Sequence, residues 1–328
     1  MVGRVLVTGG TGFTGGHLCR RLVKEGYKVR ALVRDSSQAS ALKEMGVELA
    51  VGDLRDRHSL EAAVTGIDTV YHIAALFRPE NVTREDFWQV NVEGTRNIIE
   101  ASIEAEVDRL VHCSTVGVHG EVKNPPATEE TPYAPGDDYQ DSKTEGEKVA
   151  LQYMKDGKIP IVIFRPAGIF GPGDRRFLKL FKAIKKRQFL MFGSGEVLYQ
   201  LIYIDDLIDG IIRCGTEDNA VGEVYILTGA QAVTLNQFVA EIADVLDAPF
   251  PKLRLPVMPV YWAGFACELI CKPFGIDPPL YRRRVDFFRK DRSFDTSKAR
   301  QQLSFVPKTQ LKQAIELTAD WYRENGYL

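Results

Sequence analysis

Tyr139 and Lys143 are the residues of this chain whose types and spacing point most directly to catalysis. A separation of four residues places both side chains on one face of a helix, one turn apart. An isolated tyrosine is a poor base at neutral pH because its pKa is about 10, and a neighbouring lysine ammonium favours the phenolate. The pair is therefore typical of a tyrosine acid/base, although the same spacing also arises by chance.

Two hydroxyl residues, Ser114 and Thr115, lie where a predicted strand ends. Ligands of parallel α/β sheets bind at the carboxyl ends of the strands. A hydroxyl at this place can hold a substrate carbonyl or alcohol beside Tyr139. Either residue taken alone is equally consistent with a cap on a turn.

The first apolar run of the chain ends in three glycines with a spacing of three, and a helical pattern follows them. The segment contains Gly9, Gly12, Phe13, Thr14 and Gly15. Gly9 permits a tight turn, Gly12 lets backbone N–H groups approach a pyrophosphate, and Gly15 allows the helix to pack closely on the strand. Because the helix N-terminus favours negative charge, this strand–turn–helix predicts a dinucleotide-binding site.

Short apolar runs alternate with helical patterns through the first half of the chain. The strands are predicted at Arg4–Thr8, Lys28–Val33, Val47–Val51, Thr69–Ile73, Arg109–Ser114 and Ile161–Arg165. The helices are predicted at Gly16–Glu25, Ser37–Met45, His58–Val64, Arg84–Ala105 and Tyr139–Asp156. Such alternation is typical of right-handed crossovers and predicts an α/β fold of the Rossmann type, with a doubly wound parallel sheet.

The sequence predicts two unequal domains. An NAD(P)-binding Rossmann domain is expected over residues 1–170, and a smaller, mainly substrate-binding C-terminal domain over residues 171–328. Segments 198–213, predicted as helical, and 223–227, predicted as a strand, are expected to return to the first domain. The last helix is predicted over residues 311–325.

Composition excludes several classes of function. The 328-residue chain has a formal net charge of −2, which argues against a nucleic-acid-binding surface. Its five cysteines are scattered and odd in number, as in a cytoplasmic protein with reduced thiols. Cys267 and Cys271 lie on an apolar helix and favour buried packing over metal binding. The longest apolar stretch, residues 257–271, is too short to span a membrane. We therefore expect a cytoplasmic protein with no metal site and no membrane span.

These features together resemble the extended short-chain dehydrogenase/reductases, also called the NAD-dependent epimerase/dehydratase family, over nearly the whole chain. The resemblance rests on the glycine motif and on Gly52-Asp53-Leu54, His72-Ile73-Ala74-Ala75, Asn91-Val92-Glu93-Gly94-Thr95, Ser114-Thr115, Tyr139 with Lys143, Arg165-Pro166 and Tyr203-Ile204-Asp205-Asp206-Leu207. It implies hydride transfer between a nicotinamide cofactor and a carbon bearing oxygen. It also implies a homodimer formed through the helices that follow Asn91 and Tyr139.

The resemblance further implies a role for each matching residue. Tyr139 would be the acid/base, Lys143 would bind the nicotinamide ribose and tune the tyrosine, and Thr115 would hold the reacting oxygen. The catalytic set is completed by the neighbour Ser114 and by Asn91, which matches the asparagine of the family's active-site tetrad. Further cofactor contacts are expected from the adenine-side residues Asp53 and Leu54, from the loop residues Ala74 and Ala75, and from Pro166 beside the nicotinamide.

The choice of cofactor depends on the end of the second strand, Val33-Arg34-Asp35. NAD enzymes usually carry an acidic residue here for the ribose 2′-OH, whereas an arginine suits a 2′-phosphate. Val33 occupies the acidic position and Arg34 follows it, so NADP(H) is favoured. NAD(H) remains possible, because a shift of two residues in the turn would bring Asp35 to the ribose.

Two departures from the family pattern narrow the substrate. Val116 and Gly117 follow Thr115 where the family's dehydratases carry an Asp-Glu pair, which argues against dehydration. Tyr199 takes the place of an arginine that binds the diphosphate of sugar nucleotides, and so favours an apolar small-molecule substrate. The aromatic segment 255–288 is similar to the substrate lobe of the 3β-hydroxysteroid dehydrogenase and dihydroflavonol reductase branches, or it is plain core packing.

Three classes of function therefore remain. The leading hypothesis is an NAD(P)-dependent dehydrogenase or reductase, and the alternative is a sugar-nucleotide 4-epimerase that oxidises its substrate transiently with bound NAD. A non-catalytic nucleotide sensor is disfavoured, because it would not need Thr115, Tyr139 and Lys143 together. The basic runs 182–187 and 282–284 are either solvated helix faces or contacts to a substrate phosphate or a second subunit.

Overall fold

The computed structural model describes residues 3–77, 82–271, 278, 280 and 282–328, with the backbone alone at 283 and 284. Its strands are β1 Arg4–Thr8, β2 Lys28–Val33, β3 Glu48–Val51, β4 Thr69–His72, β5 Arg109–Cys113, β6 Ile161–Pro166, β7 Gly168–Phe170, β8 Met191–Phe192, β9 Leu198–Tyr199, β10 Leu201–Tyr203, β11 Val224–Leu227, β12 Val233–Thr234 and β13 Arg254–Leu255. Its α-helices are α1 Phe13–Lys24, α2 Ser40–Glu44, α3 Arg57–Val64, α4 Arg84–Trp88, α5 Gly94–Glu104, α6 Asp138–Lys155, α7 Leu178–Lys185, α8 Ile204–Thr216, α9 Leu235–Val245, α10 Val257–Cys271, α11 Arg282–Val285, α12 Ser297–Leu303 and α13 Leu311–Glu324.

Seven strands form one parallel sheet in the order β11-β6-β5-β4-β1-β2-β3. The order reverses between β1 and β4, which is where parallel α/β sheets open a crevice for ligands. This architecture confirms the predicted Rossmann-type α/β fold. The six predicted strands of the first half are all present, with ends that differ by at most one residue.

The sheet is covered on both faces because its strands are apolar on both sides. Leu6, Val70 and Leu110 point into a core with helices α3, α5 and α6, whereas Val7 and Val111 point into a second core with α1 and α8. A strand that buries both faces reads as a continuous apolar run, which is why these strands could be located from the sequence.

The segment predicted as one helix over 198–213 is the main error in the predicted elements. Residues 198–203 form β9 and β10, and the helix α8 begins only at Ile204. The backbone of Leu201–Tyr203 pairs in parallel with β7, and this long-range pairing overrides the helix-like apolar spacing. The strand predicted at 223–227 is present as β11 and lies at the edge of the main sheet, beside β6.

The predicted helix over 84–105 is continuous, but Gln89–Glu93 within it form a π-helical turn. Such turns widen the helix by one residue and often lie at functional sites. Within the described parts of the chain, no helix is both long and apolar enough to cross a membrane. Of the predicted aromatic segment 255–288, residues 272–277, 279 and 281 lie outside the described residues, as do the side chains of Arg283 and Arg284 from the basic run.

Candidate active site

The glycine turn between β1 and α1 is shaped by close backbone contacts. Gly9 has a φ of 75°, which L-residues rarely adopt, and a Cβ added to Gly15 would lie 2.2 Å from the Gly9 carbonyl oxygen. Gly12 caps α1 without a side-chain hydrogen bond, so the N–H groups of the first turn, which includes Phe13 and Thr14, have no side-chain cap. The turn therefore presents free N–H groups at a helix N-terminus, which suits a phosphate anion.

Helix α6 brings Lys143 to the carboxyl end of β5. Lys143 is 3 % exposed, and its ammonium donates a 2.6 Å hydrogen bond to the Cys113 carbonyl oxygen. Burial lowers the pKa of Lys143, while Glu147 on the next helical turn opposes that shift. This bond holds the Lys143 side chain in place. Its acceptor, Cys113, directly precedes the two hydroxyl residues Ser114 and Thr115.

The Tyr139 ring is half-buried at the start of α6, one turn before Lys143. It packs edge-on against Phe77 at a centroid distance of 5.0 Å and against Phe87 at 6.3 Å. These aromatic contacts fix the ring plane at the mouth of the crevice. The predicted pair therefore shares one helix face at the open end of the sheet.

Thr115 and Ser114 have different surroundings. The Thr115 hydroxyl oxygen accepts a 3.0 Å hydrogen bond from Gly117 N, and Thr115 is half-buried. The Ser114 hydroxyl is buried and donates to Glu147 Oε2. The hydroxyl hydrogen of Ser114 is therefore committed to an internal carboxylate, whereas the Thr115 hydroxyl accepts from Gly117 and can still donate through its own hydrogen.

Sequence reasoning missed the buried ion pair behind Ser114. Glu147 and Arg165 are 0 % and 3 % exposed in their side chains, and Arg165 Nη2 lies 2.5 Å from Glu147 Oε1. Burial alone would raise the pKa of Glu147, but the bonds from Arg165, Ser114 and Tyr133 hold it below its usual value. The spacing of four between Lys143 and Glu147 was a signal for this residue, since both point to the same side of α6.

Asn91 lies in the π-helical turn and joins that turn to α6. Its side-chain amide donates to Ser142 Oγ at 3.0 Å and exchanges hydrogen bonds with the backbone of Leu76 at 2.8 and 3.2 Å. A Cβ added to Gly146 would lie 2.2 Å from the Asn91 carbonyl oxygen, so the two helices touch here. Asn91 thus fixes the loop after Ala74 and Ala75 against α6.

A second missed network runs under the glycine turn. Thr8 Oγ1 lies 2.9 Å from His72 Nδ1 and accepts a 3.1 Å bond from Ala74 N, while His72 Nε2 lies 3.2 Å from Thr95 Oγ1. The Thr95 hydroxyl donates to the Asn91 carbonyl at 2.8 Å, so His72 must donate to Thr95 from Nε2 and accept from Thr8 at Nδ1. Burial lowers the pKa of His72 to about 3, which keeps it in this neutral form.

The two charged residues after β2 have unequal roles. The Asp35 carboxylate caps the turn Ser36–Ala39: it accepts from Ser37 N at 2.8 Å, from Ser37 Oγ at 2.7 Å and from Gln38 Nε2 at 3.1 Å. Both of its oxygens are therefore engaged within the turn. Arg34 is exposed. It lies close enough to Asp53 to contribute to lowering that carboxyl's pKa, after the larger effect of the Arg55 hydrogen bond.

The remaining predicted cofactor residues line the carboxyl edge of the sheet. Leu54 is buried, and its carbonyl accepts from Asn97 at 2.8 Å. Ala74 lies directly against Gly9, because a Cβ on that glycine would come within 2.9 Å of the Ala74 Cα. Pro166 ends β6 opposite Leu227 of β11. An unforeseen arginine, Arg176, stacks over Phe13 at 5.4 Å.

The position predicted to replace a diphosphate-binding arginine is occupied by a buried tyrosine. Tyr199 is 4 % exposed, and its hydroxyl donates to the Phe287 carbonyl and accepts from Arg292. The Arg292 guanidinium also donates to the Lys290 and Asp286 carbonyls, each at 3.2 Å. Around this pair lie rings that contact one another at 5.0–6.2 Å, those of Phe189, Phe192, Phe287 and Phe288.

Comparison with known proteins identifies the family of this chain. Residues 5–227 match the model of the NAD dependent epimerase/dehydratase family. The chain is 30% identical over 340 residues to "Sterol demethylase protein B" of Methylococcus capsulatus, with 98% of this chain and 99% of that protein covered. It is 31% identical over 340 residues to "3 beta-hydroxysteroid dehydrogenase/Delta 5-->4-isomerase" of Mycobacterium tuberculosis, with 98% and 90% covered.

A solved structure, that of gox2253, superposes with a TM-score of 0.83 at 28% identity and covers 99% of both chains. The family match, the relatives and the superposition agree with the Rossmann-type parallel sheet. The chain therefore belongs to the NAD-dependent epimerase/dehydratase family, the extended short-chain dehydrogenase/reductases.

Proposed function

We propose that this protein is an NADP(H)-preferring dehydrogenase or reductase that acts on a carbonyl or secondary alcohol of a mainly apolar substrate. The observation that carries the substrate class is the internal pairing of Arg292 with Tyr199 inside an aromatic cluster. A guanidinium that donates to Tyr199 and to two backbone carbonyls is poorly placed to receive a diphosphate. The names of the two sterol-related relatives support the same substrate class.

Each catalytic residue has one physical task in this proposal. When bound, the nicotinamide supplies or accepts the hydride. The Thr115 hydroxyl donates to the substrate oxygen, and the Tyr139 hydroxyl exchanges the accompanying proton with that oxygen. The Lys143 ammonium, fixed on the Cys113 carbonyl, favours the phenolate of Tyr139 and presents its remaining donors to a ribose. Ser114 serves as a support, because its proton is held by Glu147.

The preference for NADP(H) rests on the turn after β2. The Asp35 carboxylate is engaged by Ser37 and Gln38, so binding the ribose hydroxyls of NAD would require that turn to reopen. Arg34 is exposed, and a guanidinium is the side chain best suited to a phosphate. Arg55 also lies on this edge, held by Asp53 at 2.8 Å.

A sugar-nucleotide 4-epimerase is the second candidate, because the matched family includes epimerases. An epimerase returns its hydride to the same substrate and therefore retains its nucleotide, whereas a reductase exchanges it. The test is to purify the full chain, release any bound nucleotide, and assay apolar ketones and sterol-type alcohols against UDP-sugars with both cofactors. Turnover of a UDP-sugar without added cofactor would contradict the reductase proposal.

We also propose a homodimer in a compartment that keeps thiols reduced. A cleft of about 400 Å³ runs between α5 and α6, the helices that the family resemblance assigns to the subunit contact, with Trp88, Val92 and Val149 on its walls. The five cysteines are free thiols, as is typical of the cytoplasm. Light scattering on the wild-type protein tests the dimer, and the mass of a single 36.7 kDa chain would contradict it.

A further inference from the structure

Helix α10 is apolar on all sides and yet lies at the surface. Its exposed side chains include Met258 (46%), Trp262 (58%), Phe265 (38%), Leu269 (65%) and Ile270 (65%), and only Gly264 in the helix is buried. A helix that is hydrophobic all round is normally covered by a protein core or by lipid. Within the described parts of the chain, these side chains of α10 are left uncovered.

The exposed residues of α10 form one continuous stripe. Positions 258, 262, 265 and 269 follow the spacing of four, three and four that aligns side chains along one helix face. The only charged residue of the helix, Glu268, is neutralised by Arg282, whose N–H and Nε donate to it at 2.7 and 2.8 Å. The stripe therefore carries no unpaired charge, because the Arg282 guanidinium that lies over Phe265 is paired with Glu268.

The segment that contains α10 is strongly basic. Residues 252–292 contain nine lysines and arginines and four aspartates and glutamates, a net charge of +5 in a chain whose total is −2. Lys252 and Arg254 are exposed just before the helix, and Arg282 and Arg289 stack on the rings of Phe265 and Tyr261.

A second basic segment lies next to the two-stranded sheet of β8 and β13. Strand β13 pairs in parallel with β8, so residues 185–187, which precede β8, approach from the same end as Lys252. Lys185, Lys186 and Arg187 are all exposed. The apolar stripe is therefore accompanied by positive charge from two parts of the chain.

We propose that α10 docks on the surface of an anionic phospholipid membrane, with its stripe in the acyl boundary and the basic residues at the headgroups. An apolar helix face with flanking lysines and arginines is the signature of a segment that lies in the membrane interface. At 15 residues, α10 is about 22 Å long and too short to span. A two-fold contact between copies would instead bring two segments of charge +5 together, which electrostatic complementarity disfavours.

Flotation of the full-length protein with vesicles tests this proposal. Wild type should float with phosphatidylcholine vesicles that contain phosphatidylglycerol, and less so with pure phosphatidylcholine or at about 0.5 M salt, where charge is screened. The double variant Trp262→Glu/Leu269→Glu should lose at least about a hundredfold in partition, since each of the two buried apolar side chains contributes about a decade or more. Val306→Glu/Leu317→Glu, at positions 55% and 40% exposed outside residues 252–292, is the matched control and should bind as wild type.

Two further variants separate the parts of the mechanism. Lys186→Glu/Lys252→Glu keeps the stripe and should weaken binding only to the anionic vesicles. If Trp262 lies in the acyl region, brominated lipids should quench the tryptophan fluorescence of the wild-type protein. Trp262→Phe should still float with the vesicles but should lose this quenching. Thermal unfolding of each variant shows whether it is folded.

Failure of wild type to bind anionic vesicles at low salt would overturn the proposal. So would wild-type binding by the Trp262→Glu/Leu269→Glu variant. Light scattering supplies the third outcome: if that variant lowers the mass of the protein in the absence of vesicles, a second copy covers α10 and the membrane proposal is wrong.

Discussion

His72 and His112 should make the stability of this fold fall as the pH drops below about 6.5. They face each other on β4 and β5 with ring centroids 5.3 Å apart, and they are 1 % and 0 % exposed. Burial lowers the pKa of both, that of His72 from 6.5 to about 3, and the nearby Lys143 ammonium acts in the same direction. Both rings are therefore neutral in the folded protein at neutral pH.

The sign of the effect follows from these pKa values. A histidine whose folded pKa lies below its unfolded value binds its proton in the unfolded state first, so stability is complete above about pH 6.5 and is lost toward the folded pKa. Each pH unit in this range removes about 1.4 kcal/mol per histidine. Between about pH 6.5 and about pH 5, each histidine should cost about 2 kcal/mol, and the two together about 4 kcal/mol.

Single variants isolate each contribution. His72→Gln keeps an amide donor and acceptor for Thr8 and Thr95 but cannot titrate. The ring nitrogens of His112 have no hydrogen-bond partner in the described structure, so His112→Leu should leave stability at pH 7.5 unchanged or raised. Urea unfolding from pH 7.5 to 5 measures both slopes.

In each variant, the slope of the unfolding free energy against pH should be smaller than in wild type by about 1.4 kcal/mol per pH unit, the contribution of one histidine. Burial also lowers the pKa values of His17 and His119, but their contributions cancel in the comparison with wild type. Slopes parallel to that of wild type would mean that these histidines are not held neutral. In that case, the assignment of the Thr8–His72–Thr95 hydrogen bonds would also be wrong.

Four other substitutions test the proposed site. Tyr139→Phe should lower the rate of hydride transfer by about a hundredfold to ten-thousandfold while fluorescence titration shows unchanged cofactor affinity, and turnover within about tenfold of wild type would remove Tyr139 from the mechanism. Lys143→Met should weaken cofactor binding and move the basic limb of the pH–rate profile to higher pH, whereas an unmoved limb would separate the lysine from the tyrosine. Arg34→Ala should weaken NADP(H) by one to two decades and hardly affect NAD(H), and equal loss for both cofactors would leave Arg34 only a stacking role. Gly15→Ala should abolish binding of either cofactor, because the added methyl would lie 2.2 Å from the Gly9 carbonyl, and calorimetry that still detects binding would contradict this reading of the turn.

The parts of the site that depend on local sequence could be predicted, whereas those that depend on strand neighbours could not. The glycine turn and the Tyr139–Lys143 spacing are set within one turn of helix, and both are present in the structure. Thr8 of β1 and His72 of β4 are 64 residues apart, and Glu147 of α6 meets Arg165 of β6 only when that helix packs on the sheet. Polar residues on neighbouring parallel strands, or on a strand and the helix that covers it, come together only after the chain has crossed over the sheet. No periodicity in the sequence determines which of them will form a hydrogen bond.

The turn after β2 shows that one question left open above, whether Asp35 binds the ribose of NAD(H), could have been narrowed from the sequence. Asp35 is followed by Ser36, Ser37 and Gln38, and an aspartate before such residues commonly accepts from the backbone two residues on. The structure contains that contact, Ser37 N to Asp35 at 2.8 Å, together with two side-chain bonds. A ribose would have to compete with three bonds already formed, so Asp35→Asn should change NAD(H) affinity little. An Asp35→Asn variant that loses NAD(H) affinity by a decade or more, measured by titration with both oxidised cofactors, would show that the turn reopens and that the acidic residue, not Arg34, selects the cofactor.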